Sequence, residues 1–208
     1  MDENTKYDSS CGNKTDDTVR KEILPYLKDL SVVLCIVLIA FLFCFRIAVV
    51  DGDSMLNTMV DGDYVLLLNR LISGNPEQGD IVVISTNNYS NGKPIIKRVI
   101  ATEGQVVDID FETGTVKVDG NVLDEPYIKD LTKRSFSGVE YPITVGEGCI
   151  FVMGDNRMNS TDSRSPQIGQ IDCREVIGKA IFCIFPGDPD GDEGEADRDF
   201  SRIGAISG

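Results

Sequence analysis

Hydrophobic and polar positions are spread unevenly along the chain, and the pattern alone divides it into four zones. Residues 1–29 are polar, with seven acids and five bases. They can bury little apolar surface, so disorder or a frayed helix is expected there. Residues 30–50 read LSVVLCIVLIAFLFCFRIAVV, with Arg46 as the only charge. About 20 apolar residues span a bilayer, and an arginine near the end of such a run can reach the interface with its head group. A cleaved signal peptide fits poorly, because a long polar stretch precedes the run and no small-x-small site follows it. A core helix fits poorly too, because the run is apolar on every face. The expectation is a membrane anchor over residues 30–50.

Residues 51–185 change period. Short β-branched runs recur at 64–68, 81–84, 95–100, 106–109, 116–118, 149–153 and 176–185, separated by turn residues. Asp119-Gly120, between TVKV and NVL, marks a two-residue hairpin. No long 3.6-residue stripe appears in this zone. The fold class expected is mainly β, a barrel or sandwich domain behind one N-terminal transmembrane helix. Residues 186–208 open on the low-complexity acidic stretch GDPDGDEGEADRD and are expected to be a solvated loop or tail.

Charge then places the partners. The chain has 208 residues, with 20 Lys+Arg against 34 Asp+Glu and a net charge of −14. Fourteen of the bases and 27 of the acids follow residue 50, so nearly all the net charge lies beyond the span. This balance argues against a nucleic-acid binder, which needs a basic patch to release counterions. It also argues against electrostatic docking on anionic lipid. Arg20, Lys21 and Lys28 ahead of the span give a weak signal for a cytoplasmic N-terminus. The soluble zone would then lie outside. Of six cysteines, Cys149, Cys173 and Cys183 lie beyond the span without C-x-x-C spacing. Neither a disulfide framework nor a metal site is expected from them, and no cofactor is.

The chain contains no histidine. That excludes Ser-His-Asp and Cys-His hydrolase mechanisms and any His-ligated zinc. A serine nucleophile would need a lysine base, and a lysine is useful as a base only when burial lowers its pKa. Ser54 lies in Asp51-Gly52-Asp53-Ser54-Met55, directly after the apolar run. Taken alone it also fits an ordinary polar turn. Lys97 lies in Ile95-Ile96-Lys97-Arg98-Val99-Ile100. Strand alternation gives it the face of Ile95 and Val99, and puts Arg98 on the other face, where it needs a carboxylate. An exposed edge-strand lysine is the plain alternative. A third segment, residues 154–164, packs hydroxyls, amides and alternating charges behind an apolar strand. It fits either a shell around a site or an Asx-rich loop.

Together these segments resemble bacterial type I signal peptidases, the membrane-anchored Ser/Lys proteases that remove signal peptides. The resemblance covers about residues 30–185. It rests on the anchor followed by Gly52-x-Ser54-Met55, Gly79-Asp80-Ile81-Val82, Lys97-Arg98-Val99-Ile100 and Gly154-Asp155-Asn156-Arg157 with Asn159-Ser160-x-Asp162-Ser163-Arg164. One span and a compact domain look like the Gram-positive form.

The resemblance implies Ser54 as nucleophile, Lys97 as general base and Ser160 as a hydroxyl orienting the lysine. It implies an Asp155–Arg98 pair and an Asp162–Arg164 pair. It places Gly52 where some members carry an oxyanion-hole serine, so the hole would rest on the Ser54 N–H, with the Gly52 N–H as a possible second donor. Ala48, Val50, Met55, Met59, Ile95 and Ile96 would line pockets for small residues of an Ala-x-Ala site. Implied partners are preproteins with signal peptides, the phospholipid membrane and, as a candidate, the secretion translocon. The implied location is the cytoplasmic membrane, single-pass, with the catalytic domain outside. Two departures, Glu103-Gly104-Gln105 after the lysine strand and Met158 in the last motif, bear on loops and not on the dyad. A self-cleaving Ser/Lys peptidase and an inactive membrane-anchored assembly factor are the alternatives.

Overall fold

A computed structural model describes residues 12–86, 89, 92–188 and 198–206. The expected character of residues 1–11 and of the acidic run at 189–197 lies outside those residues. The chain divides into two units, Met1–Phe43 and Cys44–Gly208.

The first unit is helical. Helix α1 (Gly12–Cys44) takes in most of the zone read as a polar tail. Within it Ile23–Cys44 is long and apolar enough to cross a membrane, and none of its most apolar window is buried. Leu42 is 74% exposed and Ile39 68%, which is the opposite of a core helix.

The apolar run does not stay helical to residue 50. It stops at Cys44, and Phe45–Val49 forms strand β1. The helix therefore ends at Cys44, short of the expected residue 50. The physical reason is pairing: Phe45 to Val49 form an antiparallel ladder with Tyr64–Asn69, strand β2. Hydropathy cannot separate a lipid-facing residue from one that enters a sheet.

The second unit is mainly β. Its further strands are β3 (Ile81–Ile84), β4 (Ile95–Thr102), β5 (Val106–Asp110), β6 (Thr115–Val118), β7 (Asn121–Val122), β8 (Ile143–Thr144), β9 (Cys149–Met153), β10 (Ile171–Asp172), β11 (Val176–Phe185) and β12 (Gly204–Ala205). A short helix α2 (Arg70–Ser73) follows β2. One sheet runs β1-β2-β11-β3-β4-β9-β10, with β12 added to β11. The other runs β7-β6-β5-β8 and occupies the excursion between β4 and β9, which pair with each other. Asp119 and Gly120 both have positive φ, 52° and 79°, and join β6 to β7 as a two-residue turn.

Three apolar clusters hold the unit together. The first contains Val50, Met55, Met59, Val65 and Ile96, the second Val107, Val116 and Phe151, and the third Val82, Val99 and Ile150. Strand β4 contributes to all three, through Ile96, Ile100 and Val99. Both its faces are therefore covered, which simple alternation did not suggest.

The C-terminal segment is not a free tail beyond the acidic run. A 3₁₀ turn (Phe200–Arg202) and β12 return to the domain, and Ile206 packs against the first cluster.

Candidate active site

Ser54 sits in a turn that opens directly after β1, and Lys97 sits at the third position of β4. The Lys97 Nζ donates to Ser54 Oγ at 2.7 Å and to the carbonyl of Ile96 at 2.7 Å. Lys97 is 3% exposed. Burial lowers its pKa to about 8, against the opposing pull of the Asp162 and Asp155 carboxylates and with help from Arg164. A lysine at that value is a usable proton acceptor near neutral pH.

The turn is held from two sides. The Asn156 backbone N–H donates to the Ser54 carbonyl at 3.0 Å, and its side-chain Nδ2 donates to the Asp53 carbonyl at 3.0 Å. Beside it Gly154 leaves no room for a side chain: a Cβ there would come within 2.4 Å of both Ser160 Oγ and Ser54 O. On the other side, Gly52 takes φ +92°, and its N–H donates to Asp61 Oδ1 at 2.6 Å. The expectation that Gly52 N–H adds to an oxyanion hole is corrected on this point, because the donor is already engaged by Asp61. The Ser54 N–H has no partner among the described residues.

Around the pair lies a frame of buried arginines. Arg98 grips Asp155 with Nε and Nη2 at 2.9 and 2.8 Å, donates to the Gly79 carbonyl at 3.0 Å, and lies 3.8 Å from the Tyr127 ring centre. Thr58 donates its hydroxyl to the same Asp155. Arg164 grips Asp162 at 2.8 Å through two donors. Burial opposes the charge on Asp162, but Arg164 and the Gly154 N–H hold its carboxyl below the usual range. Arg157 pairs with Glu125 at 2.5 and 2.9 Å. Fork-to-carboxylate bonds of this kind fix orientation as well as charge. Asp155→Ala leaves Arg98 buried and unpaired and is expected to cost about 3–5 kcal/mol of stability, read as a lower denaturant midpoint with an unchanged slope.

The structure brings together Ser54, Lys97, Arg98, Asp155, Asp162 and Arg164. Ser160 is buried nearby but makes no hydrogen bond to Lys97. Its buried hydroxyl has no hydrogen-bond partner among the described residues. Ala48, Val50, Ile95 and Ile96 line a cleft of about 790 Å³ that ends at Ser54 and Lys97. Met55 and Met59 do not line it. Both are buried in the first apolar cluster, which also holds Val50 and Ile96 of the cleft wall. Residues that sequence reasoning left without a role include Thr58, Asp61, Tyr127, Glu125 and Asn156. Only Asn156 stood inside a quoted motif; the others carry no local signal. Of the two departing segments, Glu103-Gly104-Gln105 forms a bonded turn, with Glu103 accepting from Gly148 N–H and Gln105 from Thr102 N–H. Met158 lies 44% exposed.

A family model described as signal peptidase, peptidase S26, matches residues 23–185. The chain is 33% identical to signal peptidase I T of Bacillus subtilis over 183 residues, covering 83% of this chain and 92% of that protein. It is 35% identical to the probable signal peptidase I-1 of Synechocystis, covering 80% and 83%. It is 32% identical to signal peptidase I of Bacillus amyloliquefaciens, covering 76% and 83%. These matches define the class, a peptidase. The chain belongs to the S26 signal peptidase family, whose activity is removal of signal peptides from preproteins by a serine protease.

Proposed function

We propose that this chain cuts preproteins after small residues, with Ser54 as nucleophile and Lys97 as general base. The observation that carries the reading is the 2.7 Å contact between Lys97 Nζ and Ser54 Oγ inside a buried site. Neutral Lys97 takes the Ser54 proton as Oγ attacks the scissile carbonyl. The resulting ammonium gives that proton to the leaving amine, and the acyl-serine forms. Lys97 then takes a proton from water as it attacks the ester, and returns it to Ser54 Oγ. The Ser54 N–H meets the negative oxygen in both halves.

The preprotein is read as an added strand. Strand β4 pairs with β3 over residues 95–98, but β9 joins it only from Arg98 onward, so the edge at residues 95–97 faces the cleft unpaired by β9. An extended peptide laid there runs between β4 and residues 48–52. On this reading Ala48, Val50, Ile95 and Ile96 are the walls that select small side chains. The apolar helix anchors the enzyme in the cytoplasmic membrane with its N-terminus inside, next to the phospholipid surface where signal peptides emerge, and the translocon is the candidate neighbour there. The Arg98–Asp155 and Asp162–Arg164 pairs hold the frame.

The test is cleavage of a preprotein carrying alanine at both positions of an Ala-x-Ala site, by the full chain in detergent. One cut after the second alanine is expected, and leucine in its place should slow cleavage by about 10²-fold, the discrimination a tight apolar pocket can supply. Equal rates with leucine would remove the small-residue reading.

A further inference from the structure

Asp63 lies at the base of the loop that carries Ser54. Val50 N–H donates to the Asp63 carbonyl at 2.9 Å, and Gly62 N–H donates to the Val50 carbonyl at 2.9 Å, which closes residues 50–63 into one loop. The Asp63 side chain is buried at 1% exposure. Its carboxylate accepts from Val60 N–H at 2.8 Å, Gly187 N–H at 2.7 Å, and the Arg202 guanidinium at 2.9 and 2.7 Å. Two of these three sources come from the far end of the chain.

The same end touches the loop elsewhere. Arg202 reaches the Thr58 carbonyl at 3.5 Å. Gly187 sits so close that a Cβ would fall within 1.9 Å of the Asp61 carbonyl. Ile206 packs on the cluster that holds Val50, Met55 and Met59. Asp61 in turn engages Gly52, two residues before Ser54. Arg202 bonds to neither Ser54 nor Lys97 and is absent from the cleft wall.

We propose that residues 198–206 form a clasp and that Arg202 is a positioning residue, which neutralises Asp63 and thereby holds the 50–63 loop with Ser54 against Lys97. A buried carboxylate that loses its counter-charge must hydrate or move, and the loop that bears Asp63 moves with it. Displacing a reacting group by about 1 Å costs on the order of 10²-fold in rate. The acidic stretch then joins two anchors, Gly187 and Arg202, that converge on one side chain. This rests on the reading of Ser54 as nucleophile.

The experiment measures kcat and KM for preprotein cleavage by the full chain in detergent, well below the melting temperature. Arg202→Met is expected to lower kcat between about 10- and 100-fold, with KM changed by less than about threefold. Arg202→Lys should recover part of the loss. Asp63→Asn combined with Arg202→Met should recover more, because no unpaired charge remains. Val116→Ala, in the other sheet, serves as a stability control. It should lower the melting temperature and leave kcat near wild type.

Wild-type kcat in Arg202→Met overturns the clasp. So does an equal kcat loss in Val116→Ala at the same fall in melting temperature. If Arg202→Met fails to fold, Arg202→Gln decides, since it removes the charge and keeps a hydrogen-bond donor: wild-type kcat there overturns the proposal. If the wild-type chain itself cleaves no preprotein, the proposed function fails instead. The rate at which a small activated ester acylates Ser54 then reads the clasp, and an unchanged rate in Arg202→Met overturns it.

Discussion

Ser54→Ala is expected to abolish preprotein cleavage, with kcat falling by on the order of 10⁶-fold, the scale seen when the nucleophile of a serine protease is removed. The change deletes one oxygen from a half-buried turn. That turn keeps its backbone bonds to Asn156, Asp61 and Asp63, so the melting temperature should stay within a few degrees of wild type. The comparison therefore separates chemistry from folding. Mass spectrometry of the wild-type protein after exposure to a mechanism-based acylating inhibitor should place the adduct on Ser54. An adduct elsewhere, or cleavage at a tenth of the wild-type rate by Ser54→Ala, would remove the nucleophile assignment.

Lys97→Met should be nearly as damaging, with a loss of at least about 10²–10⁴-fold from the missing general base. Because nucleophile and base act as one unit, adding Lys97→Met to Ser54→Ala should cost nothing further. The wild-type enzyme should gain activity as pH rises, with the midpoint at about 8, where half of the buried Lys97 is neutral. A flat profile between pH 6 and 9 would contradict a lysine base.

Stability follows the same proton. In the unfolded chain a lysine titrates near 10.4, and in the folded chain Lys97 titrates at about 8. Between those values folding releases a proton, so stability attributable to Lys97 increases with pH across that window. Below about 8 the folded state carries the full cost of a buried ammonium, about 3 kcal/mol. Lys97→Met should accordingly melt higher than wild type at pH 7 while being inactive.

The fold was largely readable because the strands of the large sheet are short, β-branched and bounded by turn residues. Residues 64–68, 81–84, 149–153 and 176–185 all fall in strands. What could not be read were elements defined by a partner and not by their own pattern. Strand β1 continues an apolar run that looks uniform, and only the ladder with β2 makes it a strand. Strand β12 is two residues long and exists through its pairing with β11. At the site, the absence of histidine directed the reading to a serine and a buried lysine, with Ser54 and Lys97 as candidates, and the resemblance to signal peptidases supplied Asp155 as the partner of Arg98. Asp61 could not be found that way. Its hold on the Gly52 N–H is a contact between a side chain and a backbone donor, and nothing in the residue string announces it.

The buried arginine frame has a consequence for ionic strength. At 0.1 M salt, charges in solvent are screened over about 10 Å, and more tightly as salt rises. Arg98–Asp155 and Arg164–Asp162 are at most 1% exposed on either side, so counterions have no access to them. The Lys93–Asp51 pair at the mouth of the cleft is open to solvent, and the surface carries most of a charge of −14. Concentrated electrolyte should therefore change how a charged substrate approaches, visible in KM, while the geometry that sets kcat stays indifferent to it.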